Sequence, residues 1–344
     1  MNAFQQVGRA SVIFAGVILV MIVTFLIFGL DPIESLNLLV KGSLVDGNGV
    51  SRTLIKAVPL TLAGLGVVIA WRAGMFNIGG EGQFLVGALA GAAIAKLASS
   101  ISPVALSPLI LLGGTIFGGL FAALAGWLQV KRGVQVVIST ILLNFLALEL
   151  MAYAVRGPLQ ERNGKIFVSD SLPDEVMLLK FWSGYDVHSG VFIALAAVAL
   201  VWVYLYRTKA GLDLRVVGNS PTAARANKID VGRSKIWAMF WSGSLCGLAG
   251  AIDYSGVTGR IGDGFSQNWG FLAIPVALLG GLAPVGTAIG ALFFGALFAG
   301  SDLLQRFTPI TSAFVPLVQG ISVFAFILVN AWVTRRRKLG AVEQ

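Results

Sequence analysis

Any chemistry in this chain has to come from a few polar side chains set among apolar ones. Asn77, Glu81 and Gln83 fall in one glycine-rich break, residues 74–83, GMFNIGGEGQ. Asp263, Ser266, Gln267, Asn268 and Trp269 fall in a second, residues 259–270. Asn144 and Glu149 interrupt a long apolar run. Amides, a carboxylate and an aromatic ring suit reversible recognition of a planar base bearing hydroxyls. They do not suit bond-breaking. The single histidine, His188, has no evident partners for a Ser-His-Asp relay. With one cysteine, Cys246, and no HxxxH, CxxC or DxD cluster, neither a metal centre nor an intramolecular disulfide is expected. No GxxxxGK[ST] occurs, so the chain carries no P-loop for ATP. No cofactor is predicted.

Each polar residue also has a plain structural reading. A carboxylate among apolar membrane helices costs at least about 2.5–3.5 kcal/mol on insertion scales, and is tolerated beside water, a partner or free backbone N–H groups. Gly79, Gly80 and Gly82 let the backbone unwind around Glu81 and expose such donors. Glu81 therefore either offers an acceptor to a substrate hydroxyl or holds the bend, with Arg72 as a candidate counter-charge. Asn144 either lines a path or makes an interhelical hydrogen bond worth about 0.6–2 kcal/mol. Gln267, Asn268 and Trp269 either meet a base or form an outer turn with an interfacial tryptophan. Asp253 and Asp302, near outer helix ends, are expected to reach water.

The elements that position these residues follow from composition. Of 344 residues, 56% are hydrophobic and only 12% charged, against about 25% for an ordinary soluble domain. Mean hydropathy is +0.85. The fold class is an all-α membrane protein, and the 43 glycines suit close helix packing in lipid. Its pI near 9.9 does not indicate nucleic acid, because the basic residues lie in short loops beside apolar runs, where they set orientation. The run 10–30 is too long for a signal-peptide core and reads as a span.

About ten transmembrane segments are predicted, near 10–30, 54–71, 83–98, 105–130, 134–154, 189–206, 236–256, 267–283, 286–304 and 313–334, each judged against the roughly 20 residues a spanning helix needs. Lys and Arg then place both termini in the cytoplasm, with Arg335-Arg336-Arg337-Lys338 as the clearest anchor. The single transmembrane domain 1–344 carries a long polar extracytoplasmic loop, 155–188, and a basic cytoplasmic loop, 207–235. Two apolar stretches of the outer loop, 166–168 and 176–182, are expected to pack it on the bundle. Two inverted repeats, each with a broken helix, are expected, the breaks lying on opposite sides of the membrane. Broken helices in matching positions of inverted repeats point to a translocation path. The pairs Gly87/Gly91, Gly114/Gly118, Gly243/Gly247 and Gly286/Gly290 predict close helix contacts.

The cytoplasmic loop has a helix start built in. In GLDLRVVGNSPTAARANKIDVGR, residues 211–233, Ser220 is an N-cap and Pro221 the first helical position, followed by the helix-prone 222–227. This segment resembles the coupling loop of ABC importer permeases of the class serving branched-chain amino acids, simple sugars and nucleosides. GMFNIGGEGQ resembles the signature of its nucleoside-type members, and ALLGGLAPVG, residues 277–286, also looks like that class. The likeness runs from about Thr53 to Trp332. One position departs: members usually carry Gly before the Ile of the coupling loop, and here Lys228 precedes Ile229.

The resemblance implies the transmembrane subunit of an ATP-driven importer in a bacterial inner membrane. Its path would be lined by Asn77, Glu81, Gln83, Asn144, Gln267, Asn268 and Trp269. An ATP-binding subunit would be met by Arg215, Asn219, Ala223, Ala224, Arg225 and Lys228. A second permease subunit, as a heterodimer, an extracytoplasmic substrate-binding protein and membrane lipid complete the expected partners; nucleic acid is not among them. The substrate would be a nucleoside, first a purine one, with a simple sugar such as ribose as the alternative. An ion- or proton-coupled secondary transporter, using Glu81 or Glu149, would explain the repeats but not the coupling loop. An intramembrane enzyme lacks a convergent acid/base set.

Overall fold

The computed structural model describes residues 16, 18–161, 166–308, 317, 320, 321 and 324. Most of the predicted span 313–334, the basic cluster 335–338 and most of 10–17 lie outside the described residues. Among the described residues the chain is helical, with only three isolated antiparallel bridges. The helices are α1 (Ile18–Ile27), α2 (Pro32–Val40), α3 (Gly47–Arg72), α4 (Gly80–Leu97), α5 (Pro103–Arg132), α6 (Val136–Val155), α7 (Gly190–Arg207), α8 (Lys209–Asn219), α9 (Pro221–Ala226), α10 (Val231–Asp253), α11 (Trp269–Leu279) and α12 (Pro284–Phe307). Five of them, α3, α5, α6, α7 and α12, are long and apolar enough to cross a membrane. The helix α2 lies between the predicted spans 10–30 and 54–71, where no element was predicted. Its start is nevertheless encoded: Asp31 Oδ1 accepts the N–H groups of Ile33 and Glu34 at 2.8 and 2.9 Å, with Pro32 at the first position.

The helices fall into two compact units. The smaller holds residues up to Thr53 and those from Ala296 onward. In it α2 continues as a π-helical turn, Lys41–Val45, and crosses the end of α12 where Gly300 meets the Leu39 backbone and Gly42 meets Leu303. Thr53 Oγ1 ties the start of α3 to the Ser43 carbonyl at 2.9 Å.

The larger unit, Leu54–Gly295, is organised by glycine. A Cβ on Gly87 of α4 would strike the Gly247 backbone of α10, and one on Gly247 would strike the Gly114 carbonyl of α5. Gly118 and Gly243 meet likewise. Three predicted small-residue pairs therefore face one another, and the helix backbones approach closely. In lipid, where tails are as apolar as leucine, such packing is what holds helices together. Above this contact Leu85, Ala88, Ile110, Met151 and Tyr254 form a buried core.

The loop 155–188 is bound down by hydrogen bonds to residues 255–262. The N–H groups of Ser169, Leu172 and Leu178 donate to the carbonyls of Ile261, Gly259 and Ser255 at 2.8–2.9 Å. Val176 and Leu178 are buried as expected, whereas Leu179, Phe181, Ile166 and Phe167 stay exposed. Its last residue, His188, is buried between Gly190 and Gly256, the latter in a π-helical turn, Tyr254–Thr258, that extends α10. The Gly190 N–H donates to His188 Nδ1 at 3.1 Å, so the ring proton sits on Nε2, which has no hydrogen-bond partner among the described residues. Burial, and then nearby Lys180, pushes the imidazole down to about 4. Asp253, expected to reach water, is instead buried beneath the same turn.

Candidate functional site

The two breaks meet. The sequence placed them on opposite sides of the membrane, but Gly80 and Gly270 are packed backbone to backbone, and a Cβ on Gly270 would overlap Glu81 N. The helices that start there are peculiar in the same way. α4 begins after Gly79 and α11 after Asn268, and neither N-cap residue makes a side-chain cap. Each helix borrows its cap from elsewhere. Asn144 of α6 accepts the Gly82 N–H at 2.8 Å and donates to the Ile78 carbonyl at 3.0 Å. Glu81 of α4 accepts the Gly270 N–H at 2.9 Å. Two positive helix ends converge here, and one carboxylate lies between them, where a negative charge is worth most.

Asn77 holds the first break from within. Its Oδ1 accepts from the Gly79 N–H at 2.9 Å and from Gln83 Nε2 at 3.0 Å, and its Nδ2 donates to Gln83 Oε1 and Ser242 Oγ, both at 3.0 Å. Asn77, Glu81, Gln83 and Asn144 are each almost wholly buried. Four of the seven residues expected to line a path are thus brought together: Asn77 and Gln83 bond each other, while Asn144 and Glu81 bond backbone groups of the two breaks. Trp269 is buried at the same place, as the first residue of α11; Gln267 and Asn268 are exposed, Asn268 with φ +64°. Arg72 is not the counter-charge of Glu81: its Nε donates to the Leu282 carbonyl at 3.1 Å. Two partners were missed from sequence. Thr140, which accepts the Ile78 N–H at 3.3 Å, stands one turn before Asn144 on the same face of α6, a spacing that could have found it. Ser242 carries no such signal.

The loop 207–235 forms two helices, where one was expected. Thr208 starts α8 by accepting the Gly211 N–H at 3.1 Å. Ser220 then starts α9, its Oγ accepting the Ala223 N–H at 3.2 Å with Pro221 at the first position. Ala224 is fully buried against Val217 and Val231. Asn219, Ala223, Arg225 and Lys228 are exposed, and Arg215 is half-buried with its guanidinium 5.3 Å from the Tyr206 ring centre. Lys228 has φ +58°, a conformation glycine adopts without cost. The local turn is therefore the one a glycine would give. Asp230 caps α10 through the Arg233 N–H at 2.9 Å. A groove of about 850 Å³ opens beside it, edged by Lys209, Lys228, Arg233, Trp237 and Trp241. On its other side α8 touches the first break, since Gly218 lies against the Arg72 carbonyl and Gly74.

The family described as the permease component of the branched-chain amino acid transport system matches residues 49–328. The chain belongs to this permease family. It is a multi-pass membrane protein, a transport component with ABC permease relatives. A glucose ABC transporter permease of Haloferax volcanii is 33% identical over 326 residues, covering 92% of this chain and 85% of its own. A guanosine ABC transporter permease of Bacillus subtilis is 33% identical over 282 residues, 79% of each chain. A second guanosine ABC transporter permease of that organism is 29% identical over 253 residues, covering 72% of this permease and 79% of its own chain.

Proposed function

We infer that this permease forms the translocation path for a nucleoside, with a purine nucleoside first, in an importer driven by a separate ATP-binding subunit. The contact that carries this reading is Gly218 against the Arg72 carbonyl and Gly74. It puts the two-helix cytoplasmic segment directly on the break that leads to Asn77 and Glu81. A push on α9 from an ATP-binding subunit then reaches the junction of the two broken helices through α8. Asn219, Ala223, Arg225 and Lys228 present the docking face, while Ala224 secures it from behind. At the junction Asn77, Glu81, Gln83 and Asn144 fix the geometry, and Gln267 and Asn268 remain open to a ligand. Helix N-termini from two breaks meeting at one point also favour the inverted-repeat reading, with both breaks taken to lie within the membrane.

The partners of this reading are an ATP-binding subunit, an extracytoplasmic binding protein and a second, different permease. The guanosine relatives, two permeases of one organism, favour the heterodimer. Both termini are taken as cytoplasmic, in a bacterial inner membrane. A simple sugar such as ribose is the second reading, favoured by the glucose permease relative that spans most of the chain. Purification from native membranes in mild detergent, followed by uptake in proteoliposomes, tests the proposal. Co-purification of an ATP-binding subunit and ATP-dependent uptake of guanosine would support it. Uptake of ribose in preference would move the substrate to the sugar reading. Uptake driven by an ion gradient without ATP would overturn it.

A further inference from the structure

Glu149 is the one ionisable side chain, among the described residues, that is exposed more than a turn inside a helix of membrane-spanning length. It stands six residues before the end of α6, so about 9 Å from that end at 1.5 Å per residue. The buried face of α6 carries Thr140, Asn144, Ala147 and Met151. At 3.6 residues per turn Glu149 lies near the middle of the opposite face, away from the bundle. It has no hydrogen bond or ion pair among the described residues. The comparable faces of α5 (Leu112, Ile116, Leu120, Leu124) and α7 (Phe192, Leu195) carry no charge. A carboxylate pointing at hydrocarbon costs several kcal/mol, and such residues face a bundle interior or water. In this chain the bundle interior is not where it points. The same stripe of α6 holds Phe145 one turn before it and Tyr153 one turn after, 61% and 71% exposed.

Building on the transport reading above, we propose that this face of α6 lines a water-filled path closed by a second permease subunit. There Glu149 accepts the vicinal hydroxyls of a neutral substrate while Phe145 and Tyr153 offer rings to its flat or apolar face. A fixed negative charge at this point also disfavours phosphorylated forms of the same molecule. No residue of the Glu81 junction takes part in this contact.

The test uses the whole transporter in proteoliposomes. Glu149→Cys, Phe145→Cys and the lipid-face control Leu120→Cys are treated with a charged, membrane-impermeant methanethiosulfonate; the native Cys246 is buried. The expected result is labelling at positions 149 and 145 at least tenfold faster than at 120, slowed by guanosine or ribose. Glu149→Leu is expected to lower uptake about tenfold or more, the usual effect of losing hydrogen bonds to a charged group, with Glu149→Asp recovering part of it. Labelling no faster than at position 120, or wild-type uptake by Glu149→Leu, would overturn the proposal. If the wild type imported neither probe, the substrate reading would fail, while the labelling would still decide whether α6 faces water.

Discussion

Glu81 accepts the Gly270 backbone N–H at 2.9 Å across 189 residues of sequence, and so caps a helix that has no cap of its own. The relation makes the carboxylate a structural charge as well as a polar group in the membrane. Glu81→Gln keeps an acceptor oxygen and loses the charge at the α11 N-terminus, an expected loss of about 0.3–2 kcal/mol. Glu81→Leu leaves the Gly270 N–H unsatisfied and is expected to cost about 1–3 kcal/mol. Thermal unfolding followed by a maleimide dye reacting with the buried Cys246 ranks the two. Equal midpoints for wild type and Glu81→Leu would contradict the capping role.

Gly270→Ala tests the same junction from its other side. The new methyl would overlap the backbone at Gly80 and Glu81, which cannot move as a flexible side chain would. Overpacking of this kind costs about 1–3 kcal/mol or more. Gly133→Ala is the comparison: it has φ +70° and open space around it, so only the left-handed strain of about 1–2 kcal/mol applies. The expected order of unfolding midpoints is wild type, then Gly133→Ala, then Gly270→Ala.

In the α8–α9 segment neighbouring alanines should behave oppositely. Ala223→Asp places a charge on an exposed face and should leave the fold intact while weakening co-purification of an ATP-binding subunit. Ala224→Asp buries an unpaired carboxylate against Val217 and Val231 and should destabilise the segment by several kcal/mol. Lys228→Gly should hold or tighten the local turn, because glycine adopts φ near +58° without strain. Hydrogen exchange across residues 208–234 separates local unfolding from lost docking. A loss of co-purification in Ala223→Asp with exchange unchanged is the expected pattern.

His188 gives the loop 155–188 a pH dependence. Its ring is held neutral down to about 4, against an ordinary 6.5. The unfolded chain therefore binds a proton over a range where the folded one does not. The stability contribution is complete above pH 6.5, declines as pH falls from 6.5 towards 4, and is spent below 4, with a total of about 3 kcal/mol. His188→Gln, which cannot be protonated, should flatten that part of the profile. Exchange protection of residues 178–190 measured between pH 4 and 7 checks this, and an unchanged slope in His188→Gln would count against it.

Much of this protein was legible without coordinates. Hydropathy and glycine content give a helical membrane protein because every backbone polar group in lipid must be satisfied within a helix. Ser220-Pro221 started α9 as read, because an N-cap is a local hydrogen bond among neighbours in sequence. The small-residue pairs announced close packing, though not that Gly87, Gly114 and Gly247 would meet one another. Only the tertiary structure could show that Asn144 and Glu81 cap helices other than their own, since a cap lent across 62 or 189 residues leaves no spacing to read. Arg72 was assigned to Glu81 by nearness in sequence and went instead to the Leu282 carbonyl. The orientation of α6 was likewise undecided: the apolar run is almost evenly hydrophobic around its circumference, so no stripe marks the core side. Packing against α4 buried Asn144 and turned Glu149 outward, and it was that rotation that separated a structural amide from an exposed carboxylate.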